Sequence, residues 1–371
     1  TQNTHHIHCK FFFSCAGYYN YEKGYTPEFE GANSFKGTLI HPQHWPQELD
    51  YSNKNIVVIG SGATAVTLVP SLAKTANKVT MLQRSPTYVV SSPEQNNFAN
   101  KLHKKLPAKW AHFIARWQAV LLGMITYRLV IKNPVKAKQY ILDNLKQLLP
   151  SGYDIDKHFT PSYDPWQQRI CLVPDADLFE AISSGKAEVV TDHIQTFDEK
   201  GICLQSGQRI DADIIVTATG LNLSVLDGYE LSIDGEAVNL AKQVVYKGMM
   251  LSGLPNMAFS MGYTNASWTL KSDLAAQYVC RLINYMQKHN KAYCIPTLPS
   301  HGVDEEPLMD FTSGYITRAL DKVPKQGSKA PWRLYQNYLL DNIALNFGAI
   351  KNSNMRFVEQ PLINQKQSKL S

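Results

Sequence analysis

An α/β fold of two related units is what this sequence predicts, and three observations predict it. Residues 55–65 read Asn-Ile-Val-Val-Ile-Gly-Ser-Gly-Ala-Thr-Ala, a buried strand that breaks at paired glycines and runs into a helix. Residues 9–17 and 213–220 share a second pattern: a polar residue, three large apolar residues, Ser or Thr, two small residues, then Gly. Strands ending in glycine turns at both places suggest an internal repeat. The 371 residues suit two domains, and a composition 44% hydrophobic and 18% charged excludes disorder.

In chain order, residues 9–16 read as a short buried strand entering a turn at Gly17. Residues 24–50, rich in Pro, Gly and aromatics, read as a connector. A strand at 55–60, a helix at 63–75 and a strand at 78–83 make one βαβ unit. Residues 94–150 read as a helical insertion with breaks at Pro107, Pro134 and Pro150. Short β-like runs fill 188–215, with a hairpin signal at Glu199-Lys200-Gly201, and 270–289 is a helix. The last eighty or so residues carry mixed periodicity and receive no assignment. The implied divisions are 1–50, the end of one half-unit plus connector; 51–220, a nucleotide-binding unit with its insertion; and 221–371. Only eight residues precede the first strand and the chain does not begin with Met. The expectation is therefore the C-terminal portion of a larger protein, a fragment whose first unit has lost its own phosphate loop.

Lys and Arg exceed Asp and Glu by 6, an excess read as scattered, which gives no support to nucleic-acid binding. The six cysteines form no C-x-x-C pair and no zinc spacing, which points to a reducing, cytoplasmic setting and argues against a dithiol site. The polar, His-rich start is no secretory signal. Residues 110–131 are the longest apolar stretch, interrupted by Arg116, Gln118 and Arg128. The recurring polar residues favour a packed helix over an interfacial one. No transmembrane segment is expected, and peripheral membrane contact stays open.

Strand, then G-x-G-x-x-A, then helix is the arrangement that holds a dinucleotide pyrophosphate, the Rossmann pattern. Gly60 permits the tight turn, and Gly62 lets backbone N–H groups approach the phosphates without a Cβ between. Ala65 keeps the helix close to the sheet, and the helix N-terminus favours negative charge. Gly60, Ser61, Gly62, Ala63, Thr64 and Ala65 are the candidate phosphate loop, the competing reading being an incidental glycine turn. The next strand ends Gln83-Arg84-Ser85, where an NAD site would carry Asp or Glu. Arg84 offers a planar fork to a ribose 2′-phosphate and Ser85 a hydroxyl, so NADP is the expected cofactor.

Ahead of that unit stands Phe35-x-Gly37-x-x-x-His41-x-x-x-Trp45-Pro46. This F-x-G-x-x-x-H-x-x-x-W-P string, directly before an NADP-type glycine loop, resembles the fingerprint of Baeyer–Villiger monooxygenases within the flavin-containing monooxygenase superfamily. Residues 160–169, Thr-Pro-Ser-Tyr-Asp-Pro-Trp-Gln-Gln-Arg, resemble its ethionamide-monooxygenase-like branch, as do 246–253, Tyr-Lys-Gly-Met-Met-Leu-Ser-Gly, and 262–271, Gly-Tyr-Thr-Asn-Ala-Ser-Trp-Thr-Leu-Lys. The resemblance covers about residues 9–340; the family's first glycine loop has no counterpart in it.

The resemblance implies two dinucleotide-binding domains holding FAD and NADP, the FAD domain incomplete. It implies reduction of FAD by NADPH, addition of O2 to give a C4a-peroxyflavin, and oxygen insertion beside a ketone or onto sulfur in a small organic substrate. An N- or S-oxygenating flavin monooxygenase and a non-catalytic NADP-binding remnant are the alternatives. Arg169 matches the family's active-site arginine, a permanent cation for developing negative charge; the competing reading is an ion pair to Asp164 or Asp175. In the family the fingerprint couples cofactor binding to domain movement, so His41 is expected to be conformational rather than a general base, and Trp45 a packing anchor. Thr219-Gly220 matches the turn linking the two units. Gly17 and the loop around Asn265 match flavin-facing segments, for which simple strand and helix termination is the competing reading.

Overall fold

The run Asn-Ile-Val-Val-Ile places large apolar side chains on both faces of an extended chain, so it needs cover on two sides. The computed structural model, which describes residues 4–226, 229–309 and 314–359, supplies that cover. The described chain forms two units: residues 20–222 with 314–315, and the remainder. The first strand, β1 (Phe12–Ser14), belongs to the second of these.

The larger unit is built on a five-stranded sheet. Its strands are β2 (Thr38–Ile40), β3 (Asn55–Ile59), β4 (Lys78–Gln83), β7 (Ala187–Thr191) and β11 (Ile214–Thr217), ordered β2-β11-β3-β4-β7 and parallel throughout. Between β4 and β7 come β5 (Val89–Ser92) and β6 (Cys171–Pro174), a parallel pair of their own, and six helices complete the unit with α1 (Ala63–Leu72) crossing from β3 to β4. These are α1, then α2 (Asn97–Lys105), α3 (Ala108–Lys132), α4 (Pro134–Leu148), α5 (Ile155–Phe159) and α6 (Asp177–Ser183). Between β7 and β11, β8 (Ile194–Asp198), β9 (Gly201–Leu204) and β10 (Arg209–Asp211) fold into an antiparallel layer. The hairpin expected at Glu199-Lys200-Gly201 is the β8–β9 turn.

Side-chain alternation assigns each sheet residue to one of two cores. Ile56 and Val58 pack with Ala65, Val66, Val69 and Leu72 of α1, while Val57 and Ile59 pack with Phe197, Ile202, Leu204 and Ile210 of the antiparallel layer. The same split separates Ile214 and Val216 from Ile215 along β11. Each such fully buried Ile or Val contributes roughly 1.5–3 kcal/mol relative to exposure, so a one-residue register slip would be prohibitive.

Three expectations are corrected here. Residues 38–40, read as connector, form the edge strand of the sheet, because Thr38–Ile40 pair with Ile214–Val216. The first strand is not a buried one: it has three residues, Phe12 is exposed, and only Ser14 is buried. The helical insertion breaks at the three prolines as expected, with Pro107 before α3, Pro134 opening α4 and Pro150 following it. Yet α3, expected to be packed, buries only Ala111 and Val120 along its 25 residues. The exposure falls on its apolar side chains: Trp110, Phe113, Leu122, Ile125 and Leu129 are exposed, while Arg116 and Gln118 are half-buried.

In the smaller unit β1 pairs in parallel with Met257–Phe259, Phe12 facing Met257 and Ser14 facing Phe259. Its long helix, α7 (Trp268–Lys288), buries Leu274, Tyr278, Leu282 and Met286, a four-residue spacing that keeps one face inward. Lys271 lies on that same buried stripe. Its ammonium donates to Asp341 at 2.8 Å, and the Tyr263 hydroxyl donates to the same carboxylate oxygen at 2.7 Å. Burial pulls the Lys271 proton affinity down, with Asp341 opposing that shift. Removing one partner leaves the other charged and buried, so Asp341→Ala should cost roughly 3–5 kcal/mol in equilibrium urea unfolding. The double change Lys271→Met with Asp341→Leu should recover most of that loss; equal losses for single and double variants would show that the pair itself is not what matters.

Candidate functional site

Gly60 ends β3 with φ at +137°, and a Cβ there would lie 2.4 Å from the Ala218 carbonyl oxygen. No side chain fits, so the backbone of β3 can close on that of β11 only through glycine. The Gly60 N–H donates to the Leu82 carbonyl at 2.8 Å, holding the turn to the neighbouring strand as well. Gly62 follows as the N-cap of α1, and a Cβ there would meet nothing within 4 Å. The first helical bond runs from the Val66 N–H to the Gly62 carbonyl, so the N–H groups just inside the helix point outward without helical partners. No side chain caps that end and no acid lies in its first turn. Ala63 and Thr64 are exposed while Ala65 is fully buried against the sheet. An outward-facing row of N–H groups with open space before it suits a dianionic phosphate.

Ser61 joins this loop to the end of β4. Its hydroxyl donates to the Ser85 carbonyl at 3.1 Å and lies 2.8 Å from the Thr87 hydroxyl. Arg84 and Ser85 are exposed in the bend after β4. The buried Gln83 beneath them is fixed by bonds to the His158 carbonyl and the Thr191 hydroxyl, both 2.8 Å. The next residues lead to the third element: the Tyr88 carbonyl accepts from the Cys171 N–H at 2.8 Å, and Arg169 stands two residues before β6. Arg169 is exposed, and its expected alternative, an ion pair to Asp164 or Asp175, is not formed. Burial pushes the Cys171 thiol up to about 11, with the Arg169 charge opposing that rise. The glycine loop and Arg84–Ser85 thus lie past the carboxyl ends of β3 and β4, where open parallel sheets bind ligands, and Arg169 stands at the start of the β5–β6 pair that follows them. A cleft of about 520 Å³ lined by Gly37, Asn55, Asp211 and Asp213 lies at the other end of β2, β3 and β11 and contains none of them.

The fingerprint residues form a latch within the same unit. His41 caps a short 3-10 turn, its Nδ1 accepting from the Gln43 N–H at 3.2 Å, while Nε2 donates to the Gly220 carbonyl at 3.1 Å. Its ring lies flat against Gly24, where a Cβ would come 2.0 Å from the imidazole. Both ring nitrogens are committed to backbone, which leaves no lone pair for proton abstraction. Phe35 packs under the antiparallel layer, and Gly37 is needed because a Cβ would meet the Asp213 carbonyl at 2.4 Å. Trp45 lies edge-on to Tyr51, 6.2 Å between centroids, against the sheet core, with Pro46 exposed beside it. Thr219 donates to the Tyr25 carbonyl at 2.6 Å, and Gly220, with φ at +110°, turns the chain away.

The smaller unit holds the other two expected residues. Gly17, with φ at +82°, turns the chain after β1. Asn265 donates to the Gln336 carbonyl at 2.9 Å, so its amide fixes the loop before α7. That helix start has no side-chain cap and no acid in its first turn, which leaves its N–H groups open to a carbonyl oxygen of a flavin ring. The Trp268 indole lies over Gly262 and stacks on Tyr18 with centroids 4.3 Å apart. These residues fit the ring end of a flavin. A second strand–G-x-G-x-x-A–helix junction for its pyrophosphate is not found among the described residues. Sequence reading missed Thr87, Gln83 and the Tyr263–Lys271–Asp341 cluster. Thr87 could have been noticed beside Ser85; Asp341, seventy residues from Lys271, left no local signal.

Comparison with known proteins follows the same lines. The flavin-binding monooxygenase-like family profile matches residues 8–292. The FAD-containing monooxygenase EthA of Mycobacterium tuberculosis is 53% identical over 354 residues, which is 95% of this chain and 72% of that protein. The probable FAD-binding monooxygenase AlmA of Acinetobacter baylyi is 48% identical over 337 residues, 90% of this chain and 68% of that protein. Among solved structures, an oxidized steroid monooxygenase bound to NADP matches with a TM-score of 0.67 at 18% identity, over 95% of this chain and 75% of that one. A cyclohexanone monooxygenase from Rhodococcus sp. Phi1 bound to NADP+ matches at 0.63 and 15%, over 94% and 75%. At such identities the structures speak for the α/β fold alone, whereas the family match and the sequence relatives speak for descent: the chain belongs to the flavin-binding monooxygenase-like family.

Proposed function

We propose that the chain carries the NADPH-binding and oxygen-transfer parts of an FAD-dependent monooxygenase of Baeyer–Villiger type, acting on a small organic ketone or sulfur compound. One observation carries the reading. Ser61 ties a glycine loop that only glycine can form to the bend bearing Arg84 and Ser85, so a phosphate site and a cation for a second phosphate share one frame. Family membership and the EthA relative support the reaction class.

FAD, when bound, accepts hydride from NADPH and supplies the means of activating O2. The chain's own residues do the rest. The N–H groups of Ala63, Thr64 and Ala65 would hold the pyrophosphate of NADPH, and Arg84 with Ser85 its 2′-phosphate. The α7 start and the Gly17 turn would receive the flavin ring. Arg169, exposed and without an ion-pair partner among the described residues, would place a permanent charge where negative charge develops during oxygen transfer. His41, with both nitrogens on backbone, would hold the segment at 24 and the turn at 220 together and move no proton.

Replacing Arg84 by Ala removes a charged bond to the 2′-phosphate, worth roughly 1.5–3 kcal/mol. NADPH affinity should fall about 10- to 150-fold while NADH affinity barely changes, read by titration with each coenzyme. Equal losses for the two would show that Arg84 does not read the phosphate. Arg169→Ala should leave NADPH consumption in place in the flavin-loaded enzyme while product formation falls by about two orders of magnitude or more and hydrogen peroxide accumulates. Arg169→Lys should restore only part of the coupling, since an ammonium lacks the guanidinium fork. Full coupling in Arg169→Ala would make that residue structural.

A further inference from the structure

The chain's positive charge is not spread along it. Between Glu94 and Asp143 there are nine Lys and Arg residues and no acid, whereas the other 28 Lys and Arg are outnumbered by 31 Asp and Glu. The expectation of a scattered excess is corrected: all of the surplus sits in α2, α3 and the first half of α4. Within it α3 is apolar on nearly every side, and it is long and apolar enough to cross a membrane by composition alone. Trp110, Ile114, Leu121, Ile125 and Leu129, at steps of four, seven, four and four, fall on one helix face. All five are exposed, Trp110 by 60% and Leu129 by 57%. The stripe runs about 29 Å at 1.5 Å per residue. Lys104, Lys105 and Lys109 stand exposed at its start, and Arg128 and Lys132 at its end.

We infer that α3 docks this chain on the surface of an anionic phospholipid bilayer, its apolar stripe sunk at the headgroup–acyl boundary and its flanking cations on lipid phosphates. Apolar side chains between cationic ends, with no acid to repel the headgroups, are the chemistry such a surface selects. The long Lys and Arg stems reach the phosphates while their methylenes lie along the apolar layer. The helix lies on the membrane and does not cross it. α2 packs on α3 and follows β5, while Ile141 and Leu145 of α4 are in the core beneath the same sheet. A single crossing would put these two anchors on opposite sides of the bilayer. Tyr127, edge-on to Trp166 at 5.4 Å, holds the helix to the unit from a third point. A second copy of the chain suits the stripe less well, because pairing two such faces would bring two acid-free sets of cations together.

The test is co-sedimentation of the 371-residue chain with vesicles of phosphatidylcholine alone and of phosphatidylcholine containing one-third phosphatidylglycerol. Binding to the anionic vesicles should exceed binding to the neutral ones at least about tenfold, and should fall in roughly 0.5 M salt. Two triple variants separate the contributions: Leu121→Ser, Ile125→Ser, Leu129→Ser, and Lys101→Gln, Lys104→Gln, Lys105→Gln. Each should weaken binding about tenfold or more with the thermal midpoint held within a few degrees. The lysines are exposed, so the second variant decides the matter if the first fails to fold. Absence of vesicle binding, or binding unchanged in the lysine variant, overturns the inference. So does a dimer in sedimentation velocity that the serine variant dissociates while no vesicles are bound; a second copy would then be the occupant.

Discussion

Gly60 carries the constraint on which the rest of the larger unit depends. The end of β3 passes so close to β11 that a Cβ on Gly60 would overlap the Ala218 carbonyl, and its φ of +137° is closed to other residues. Any substitution there forces the strands apart or reorients the turn, a strain of order 1–3 kcal/mol before any clash is counted. Opening that gap would move Gly62 and the start of α1, whose direction is set by Ala65 and Val66 packing on β3. It would also move Ser61, and with it the bend that carries Arg84. One backbone close approach therefore fixes three things at once: the aim of the helix N-terminus, the room before it, and the position of the cation beside it.

The electrostatics agree with that geometry. The first turn of α1 has no acid to compete with a phosphate, and Arg84 has no ion pair among the described residues to draw it away. The exposed ion pairs of this unit, such as Lys36–Glu199 and Lys78–Glu188, lie away from that bend, Lys78 opening β4 at the end opposite Arg84, and contribute roughly 0–1 kcal/mol each. The fingerprint contributes rigidity. His41 draws residue 24, residue 43 and residue 220 onto one imidazole, which ties the entry to the sheet, the β2 exit and the β11 exit together. An imidazole so placed is a three-way brace.

What could be read in the sequence was local. The glycine loop is legible because turn, close approach and helix start occupy consecutive residues, and Arg84 because β4 must follow α1 at a near-fixed distance. Pro107, Pro134 and Pro150 marked the helix breaks because a missing N–H acts where it stands. The Ser61–Thr87 contact, the Gly24–His41 stacking and the Lys271–Asp341 pair were not legible, since each joins residues 17 to 70 positions apart through the folded chain. Nor was the bond from the Asn265 amide to the Gln336 carbonyl, 71 residues away. The edge strand at 38–40 was hidden by the Pro- and Gly-rich residues around it, since three residues are too few to show alternation.

The same reasoning explains why α3 was misread and why its exposure is informative. Apolar composition reports a preference for leaving water, and says nothing of what provides the cover. Within the insertion, α4 is held to the core by Ile141 and Leu145 and α2 by its contact with α3, so folding does not require α3 to bury its outer stripe. Five large side chains on that stripe, 37–60% exposed, leave about half of the roughly 1.5–3 kcal/mol each of full burial unrealised, a total of several kcal/mol that is a large fraction of the stability of an ordinary domain. Folding alone gives no reason to place them there, and polar residues at the same positions would be as compatible with the helix. The exposed cations flanking the stripe, Lys104, Lys105, Lys109, Arg128 and Lys132, repel one another and add little to the stability of the fold. Two costly features with no structural return occupy the same 48 residues, and a single cause, contact with a surface that is apolar inside and anionic outside, accounts for both.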